Sequence, residues 1–219
     1  LSTPAYLNRY LGGAGSNINR LVRPLRQNFG ITSIRGPIVV DESTSDTQRR
    51  IASWPARYAI ECQPLSAVNI NQGYLGDRRA KYVKRPPLAA GVQLREAMKR
   101  MGVRHTGKIV TGRVPVVGRE LASISSPPLR TITRLMLPPS DNYIAETLTK
   151  NTGTAVNGVG TTASGTAAAT RLLGAYLSPQ DRLIDGSGLD RGNRLTPRSM
   201  VSLLSAANNN ANWGAPLID

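Results

Sequence analysis

The sequence has few of the residues on which disulfides and structural metal sites depend. Cys62 is the one cysteine and His105 the one histidine among 219 residues. An internal disulfide and the usual structural zinc sites are therefore excluded, and a metal ion would have to be held by carboxylates alone. The same scarcity argues against a hydrolase with a histidine base. We expect His105 to be a structural or surface residue, and we predict no metal site.

Long apolar runs and aromatic residues are scarce as well. No apolar stretch reaches the roughly 18 residues of a membrane span. The first residues, LSTP, lack the methionine, the basic segment and the apolar segment of an export signal, so we expect a chain that has been processed or cut. Phe, Trp and Tyr together make up 5% of the residues, which leaves few rings for stacking on nucleic-acid bases.

Positive charge is what the sequence has in excess. The chain has 28 Lys and Arg against 13 Asp and Glu, a net charge of +15. Residues 1–110 carry 18 of these basic residues and 6 of the acidic ones. The densest run, residues 78–85, holds five cations around Tyr82 and favours a solvated linker or hairpin tip. Nucleic-acid binding through this run stays open as an alternative, without a motif to support it.

Hydrophobic spacing predicts a mixed chain of helices and strands. Ser140 and Thr196 occupy positions typical of helix N-caps, and Val201 and Leu204 are expected to face inward. Helices are predicted near residues 17–29, 94–102, 129–136, 141–148, 162–177 and 197–207.

Strand signals lie in the first half of the chain. Residues 31–40 predict a strand broken at Gly36, and residues 103–122 predict a strand pair with Gly112 in its turn. Residues 42–87 have poor periodicity and many turn residues, which indicates short strands and loops. We place a domain boundary near Pro87, between a basic, β-rich domain at 1–87 and a helix-rich domain at 88–219.

Three stretches carry more information than composition does. They are residues 125–129 (SSPPL), 136–146 (MLPPSDNYIAE) and 185–189 (DGSGL). In this order they resemble the D-alanyl-D-alanine carboxypeptidase/endopeptidase family, the low-molecular-mass class C penicillin-binding proteins. Four further stretches also fit, so that the resemblance covers about residues 31–204: GPIVVD at 36–41, WPA at 54–56, LSAVN at 65–69 and RGNRLTP at 191–197.

The resemblance implies an α+β fold with a transpeptidase-like helix-and-sheet core, present in part, and a small β-rich inserted domain. It implies a serine peptidase that cleaves D-Ala-D-Ala in peptidoglycan stem peptides, or peptide cross-links, through an acyl-serine intermediate. No cofactor is implied, and β-lactams are expected to trap the same serine in the complete protein. A peptidoglycan substrate also implies export to the periplasm or cell envelope.

Family motifs assign roles to a few residues. Ser140-Asp141-Asn142 matches the Ser-x-Asn motif, which makes Ser140 the second serine that relays a proton to the leaving amine. Asn142 would orient the substrate amide and the catalytic lysine, whereas Asp141 points elsewhere. Ser187 is a candidate for substrate binding. Glu146 is a candidate second acid in a cleft, but its place one turn into a helix favours a cap or a surface partner.

Two motifs of the family are absent from these 219 residues. No serine is followed three positions later by lysine, and no lysine is followed by Thr-Gly. Residues 150–154 (KNTGT) are similar to the Lys-Thr-Gly pattern, but we expect them to form a helix C-terminus and a loop. We therefore expect a segment cut at both ends that is inactive alone. The alternative is that the protein is a catalytically dead relative, whose basic N-terminal half binds an anionic envelope polymer or a membrane surface.

Overall fold

The computed structural model describes residues 17–74, 82–115, 117–210 and 212–218. The helices among these residues are α1 (Asn19–Gln27), α2 (Pro86–Arg100), α3 (Leu129–Met136), α4 (Asn142–Asn157), α5 (Thr162–Leu172), α6 (Pro197–Asn208) and α7 (Ala215–Ile218). The strands are β1 (Ser33–Ile34), β2 (Ile38–Val40), β3 (Arg104–His105) and β4 (Ile109–Thr111). Short 3-10 helices lie at Ala56–Ile60, Asn71–Gly73 and Gly174–Tyr176.

The chain packs as two compact units, and each unit is discontinuous in sequence. The first takes its described residues from 1–43 and 66–127, and the second from 44–65 and 128–219. These units do not divide at Pro87, because Pro86 and Pro87 open α2, which lies wholly in the first unit. The assignment of residues 1–87 to an inserted domain and 88–219 to a catalytic domain remains a prediction.

Parallel strand pairing organises the first unit. The break predicted at Gly36 is confirmed, since β1 and β2 lie on either side of it. The strand pair predicted within 103–122 is wrong: β3 pairs in parallel with β1, and β4 pairs in parallel with β2. A parallel pair needs a long crossover, which here contains α2. Helix α2 and α1 bury the apolar core of this unit, formed by Val22, Leu25, Ala97, Met98 and Val103.

Residues 42–87, which are predicted to form short strands and loops, contain little strand structure where they are described. Between residue 42 and α2, the described residues form loops and 3-10 helices, with one isolated bridge between Tyr74 and Tyr82. Residues 78–81 of the basic run lie outside the described residues. Of its cations, Lys84 and Arg85 are described, directly before α2.

The second unit is built on the packing of α4 against α5. Its apolar core consists of Ile51, Trp54, Cys62, Leu65 and Tyr143, with Leu189 packed against it. Both predicted helix regions are confirmed, although α5 ends at Leu172 and a separate 3-10 turn follows.

Helix α6 confirms one prediction and corrects another. Thr196 is its N-cap and accepts a hydrogen bond from the Ser199 amide, with Pro197 at the first helical position. Val201 and Leu204 do not face inward: they are 64% and 57% exposed, whereas Ser199 and Ala207 are buried. The side of α6 that packs within this unit carries small residues, which apolar spacing alone does not reveal.

Within the described residues, the helices are too short or too polar to traverse a lipid bilayer.

Candidate active site

Ser140 lies in the turn that joins α3 to α4. It is exposed and has a φ of +52°, in the left-handed region that non-glycine residues seldom adopt. The predicted N-cap position is therefore wrong by one residue. Asp141 is the N-cap of α4, and its carboxylate accepts a hydrogen bond from the Ile144 amide at 2.9 Å. The hydroxyl of Ser140 therefore does not cap α4, and it donates a hydrogen bond to no described residue.

Asp141 is committed to the start of α4. Its burial raises the pKa of the carboxyl, and hydrogen bonds from the amides of Ile144 and Tyr143 oppose that shift. The expectation that Asp141 points away from its neighbours agrees with this capping contact.

Asn142 is the first residue of α4, directly after the cap. Its side-chain Nδ2 donates a hydrogen bond to the backbone oxygen of Glu61 at 3.0 Å. This contact fixes which end of the amide is the donor and holds the side chain against the segment that leads to Cys62. Ser140 and Asn142 therefore flank the N-terminus of one helix, one outside the cap and one inside it.

Glu146 lies one helical turn beyond Asn142, and its position corrects the expectation of a cap or surface residue. It is fully buried, and its Oε1 accepts hydrogen bonds from the amides of Gly186 at 2.9 Å and Ser187 at 2.8 Å. Burial raises the pKa of Glu146, while hydrogen bonds from Ser187 oppose the shift. Because residues four apart share a helix face, Glu146 holds the 185–188 turn about 6 Å along α4 from Asn142.

Asp185 organises that turn from within. This residue is 5% exposed, and its carboxylate accepts four hydrogen bonds. The donors are Nε1 of Trp54 at 2.8 Å, the amides of Gly188 at 2.8 Å and Asp190 at 2.6 Å, and Nδ2 of Asn193 at 2.8 Å. All the acceptor capacity of the carboxylate is used to shape the loop, so Asp185 is a structural residue of the site.

The two glycines of the turn are required for different reasons. Gly188 has a φ of +79°, in the left-handed region that glycine adopts at little cost. Gly186 is needed for close packing instead: a Cβ at this position would lie 1.8 Å from Oγ1 of Thr149 in α4. The turn is thus pressed directly against the helix that begins at Asn142. Ser187, between the glycines, is half-buried.

Two further groups near the site are structural. Burial raises the pKa of the Cys62 thiol to about 12, with the Glu146 and Asp185 charges as smaller causes, so the thiol stays protonated. Lys150 is in the middle of α4, which corrects the prediction that residues 150–154 form a helix end and a loop. It is buried and forms an ion pair with Asp46, and it contacts the carbonyl of Gln48 at 3.2 Å.

The arrangement offers hydroxyl and amide groups for acyl chemistry. Ser140 and Asn142 sit together at the start of α4, and Ser187 is held to the same helix by Glu146. Among the described residues, no group of three or more potential metal ligands comes together. Sequence reasoning misplaced Glu146 and missed Asp185 and Trp54, although all three belong to stretches that carry the family resemblance.

Comparison with known proteins identifies the family to which the chain is related. Residues 69–219 match the model of the D-Ala-D-Ala carboxypeptidase 3 (S13) family. Carboxypeptidase Rv3627c of Mycobacterium tuberculosis (strain ATCC 25618 / H37Rv) is 31% identical over 150 residues, which are 68% of this chain and 31% of that protein. The D-alanyl-D-alanine carboxypeptidase of Actinomadura sp. (strain R39) is 33% identical over 130 residues, which are 57% of this chain and 24% of that protein.

Solved structures agree on the fold. Penicillin binding protein 4 (dacB) from Haemophilus influenzae aligns with 93% of this chain and 59% of its own, with a TM-score of 0.77 and 20% identity. The same protein complexed with a novel β-lactam gives a TM-score of 0.54 and 27% identity over 62% of this chain and 32% of its own. The expected mixed helix-and-sheet fold, present in part, is confirmed.

The chain spans 31% or less of the length of these curated relatives. The family match nevertheless covers more than half of the present sequence and includes Ser140, Asn142 and Ser187. The chain belongs to the D-Ala-D-Ala carboxypeptidase 3 (S13) family.

Proposed function

We propose that the whole protein carrying this chain is a serine-type D-Ala-D-Ala carboxypeptidase that acts on peptidoglycan stem peptides, with endopeptidase activity on cross-links as an additional reaction. The main observation in support of this function is that one helix positions all the motif residues. Ser140 and Asn142 lie at the start of α4, and Glu146 in the same helix holds the Ser187 amide. Family membership supplies the reaction class.

In the proposed reaction, a serine outside these residues attacks the carbonyl of the penultimate D-Ala. The serine hydroxyl loses its proton to a lysine, the acyl-serine bond forms, and the peptide bond to the terminal D-Ala breaks. The proton taken up by the lysine then passes through the hydroxyl of Ser140 to the departing amine, so that Ser140 receives one proton as it gives one up. Water then hydrolyses the acyl-serine and regenerates the enzyme.

Ser140 is suited to this relay because its hydroxyl is exposed and is not used to cap α4. The amide of Asn142 can donate and accept hydrogen bonds without adding a charge that would compete with the lysine. In the proposed complex, Asn142 exchanges its contact with the Glu61 carbonyl for the substrate amide.

Ser187 is proposed to contact the substrate. Its amide is bound to Glu146, its neighbours Gly186 and Gly188 add no side chains beside it, and its own side chain is half-buried. The turn therefore holds the Ser187 hydroxyl in a fixed position, where its oxygen accepts a hydrogen bond from the Leu189 amide at 3.4 Å. Since the substrate is a component of the cell wall, we place the whole protein in the periplasm or cell envelope, and we propose that β-lactams acylate its nucleophile.

The proposal is tested by intact-mass measurement after incubation with penicillin. The whole protein should gain one penicilloyl group, and peptide mapping should place it on a serine outside these 219 residues. The 219-residue chain alone should gain none. Stoichiometric labelling of the chain alone would contradict the assignment of the nucleophile. A whole protein that stays unlabelled would favour the catalytically inactive, envelope-binding alternative.

A further inference from the structure

A second concave site lies in the first unit, at the C-terminal end of α2. It is a cavity of about 540 Å³ lined by Arg95, Glu96, Lys99, Gly102, Val103, Arg104 and His105. Its volume falls within the range of about 300–1,000 Å³ that is usual for small-ligand sites. None of the residues assigned to acyl transfer contributes to it, so it is a candidate for a separate function.

The lining of this cavity is rich in unneutralised positive charge. Arg95, Lys99 and Arg104 contribute three cations, and Glu96 contributes one anion. No ion pair to a carboxylate involves these three cations within the part of the chain that the structure describes. Arg95 and Lys99 are four residues apart in α2 and so share one face, a spacing at which like charges destabilise a helix. Arg104, on the neighbouring strand β3, adds to the same field.

Two polar side chains, Arg26 and His105, are held in place at the edge of the cavity. Nη1 of Arg26 donates to the carbonyl oxygen of Gly102 at 2.8 Å, which brings a fourth cation against a lining residue. The His105 ring is fixed by a contact of 2.9 Å between Nε2 and the carbonyl oxygen of Gly36. Because a carbonyl only accepts, Nε2 donates there. Nδ1 of His105 is buried and has no hydrogen-bond partner among the described residues, so the ring lines the cavity without presenting a polar atom to a ligand.

Charge and shape together indicate the chemical class of the ligand. Several guanidinium and ammonium groups around one concavity suit phosphate oxygens, which Arg binds in a fork and Lys as a point charge. A concave site is poorly matched to the flat surface of a bilayer. Among the described lining residues there is no Tyr, Trp or Phe, so they offer none of the platforms on which nucleic-acid bases usually stack.

We propose that this cavity binds phosphate groups of a linear, phosphate-bearing polymer of the cell envelope. Binding there would hold the protein beside its wall substrate through groups that take no part in acyl transfer. The choice of an envelope polymer rests on the proposed function, whereas the phosphate site itself rests on the cavity.

The test is a binding titration of the full chain with linear polyphosphate, with inorganic phosphate as competitor. The variant Arg95→Gln/Lys99→Gln should bind at least tenfold more weakly, with a slope of log affinity against log salt reduced by about two, one for each cation removed. The matched control is Arg20→Gln/Arg23→Gln, which removes two exposed cations from α1, outside the cavity. It should change the affinity by less than threefold. Arg104→Gln provides a third, independent probe of the cavity.

The outcomes separate this proposal from its competitors. Equal losses in both double variants would overturn it, because they would indicate binding to net charge. Tighter binding to duplex DNA than to polyphosphate would overturn the choice of polymer, as would binding only to phosphatidylglycerol vesicles. Penicillin acylation of the whole protein is measured alongside: it should be unchanged in Arg95→Gln/Lys99→Gln, so that loss of phosphate binding and loss of the acyl-transfer assignment are distinguishable.

Discussion

Ser140 has a backbone conformation that suits glycine better than serine. Its φ of +52° places it in the left-handed region, which costs an L-residue about 1–2 kcal/mol. Non-glycine residues in this region are concentrated at functional sites, where the surrounding structure holds them in place. The turn between α3 and α4 therefore retains a hydroxyl at a position where the backbone alone would favour glycine. We interpret this as a loss of stability that accompanies the proposed proton relay.

The substitution Ser140→Gly tests that interpretation. We expect it to raise the free energy of unfolding by about 1 kcal/mol, because glycine adopts a positive φ at little cost. Denaturant unfolding of the full chain measures the effect. The control Ser205→Gly, at an exposed position inside α6, should lower the same free energy by about 0.5–1 kcal/mol. If Ser140→Gly also lowers it, backbone strain at Ser140 is not the reason for its conformation.

Glu146 combines burial with two amide donors, and this gives its contribution a defined pH dependence. Its pKa in the folded chain lies above the ordinary value of 4.5, so the folded state binds more protons than the unfolded state. The stability that the neutral carboxyl contributes is fully present below pH 4.5 and is lost as the pH rises through the raised pKa.

Glu146→Gln removes this titration while keeping a carbonyl oxygen for the amides of Gly186 and Ser187. Relative to the unchanged chain, we expect the variant to gain stability as the pH increases from 4 towards neutrality. Unfolding curves at several pH values measure the difference. Glu120→Gln, at an exposed position, should give a difference that does not vary in this way. A flat profile for Glu146→Gln would contradict the raised pKa.

At the scale of elements, the contact between the 185–188 turn and α4 is the feature that defines the site. Substitution Gly186→Ala places a Cβ 1.8 Å from Oγ1 of Thr149 and 3.0 Å from the carbonyl of Ala145. We expect a loss of about 1–3 kcal/mol in unfolding free energy, as for other overpacked sites. The loss should be partly recovered in Gly186→Ala/Thr149→Ala, measured by the same denaturant unfolding.

Gly174→Ala is the matched control, because an added Cβ there meets nothing within 4 Å and its φ is not positive. It should be neutral or slightly stabilising. If Gly186→Ala is equally well tolerated, the turn is not pressed against α4, and the placement of Ser187 relative to Asn142 must be revised.

Helices were predictable from sequence because their signals are local. The Pro197 start of α6 and the Gly102 that follows α2 are set by residues adjacent in the chain. Strand partners were not predictable in the same way. Residues near Gly112 carry the turn signals of a hairpin, but β3 and β4 pair with strands that precede α2. Which face of α6 is buried also depends on packing, and the apolar pattern at Val201 and Leu204 did not reveal it.

In the whole molecule, some residues of the candidate site belong to a local sequence motif, whereas others are brought together by contacts between distant parts of the chain. The Ser140-Asp141-Asn142 motif was recognisable from its order among other stretches. The residues that position the 185–188 turn were not, because Trp54 and Asp185 meet across 131 positions of sequence. The family match begins at residue 69, so it does not include Trp54, whereas the structural likeness spans 93% of the chain.

The central claim is that Ser140 relays a proton during acyl transfer in the whole protein. The most direct test is the second-order rate constant of acylation by a fluorescent penicillin, measured for the unchanged protein and for Ser140→Ala. Ser205→Ala is the control and should react at the unchanged rate. We expect Ser140→Ala to react about 10²–10⁴-fold more slowly, the usual contribution of a positioned acid–base group. An acylation rate equal to that of the unchanged protein would contradict it.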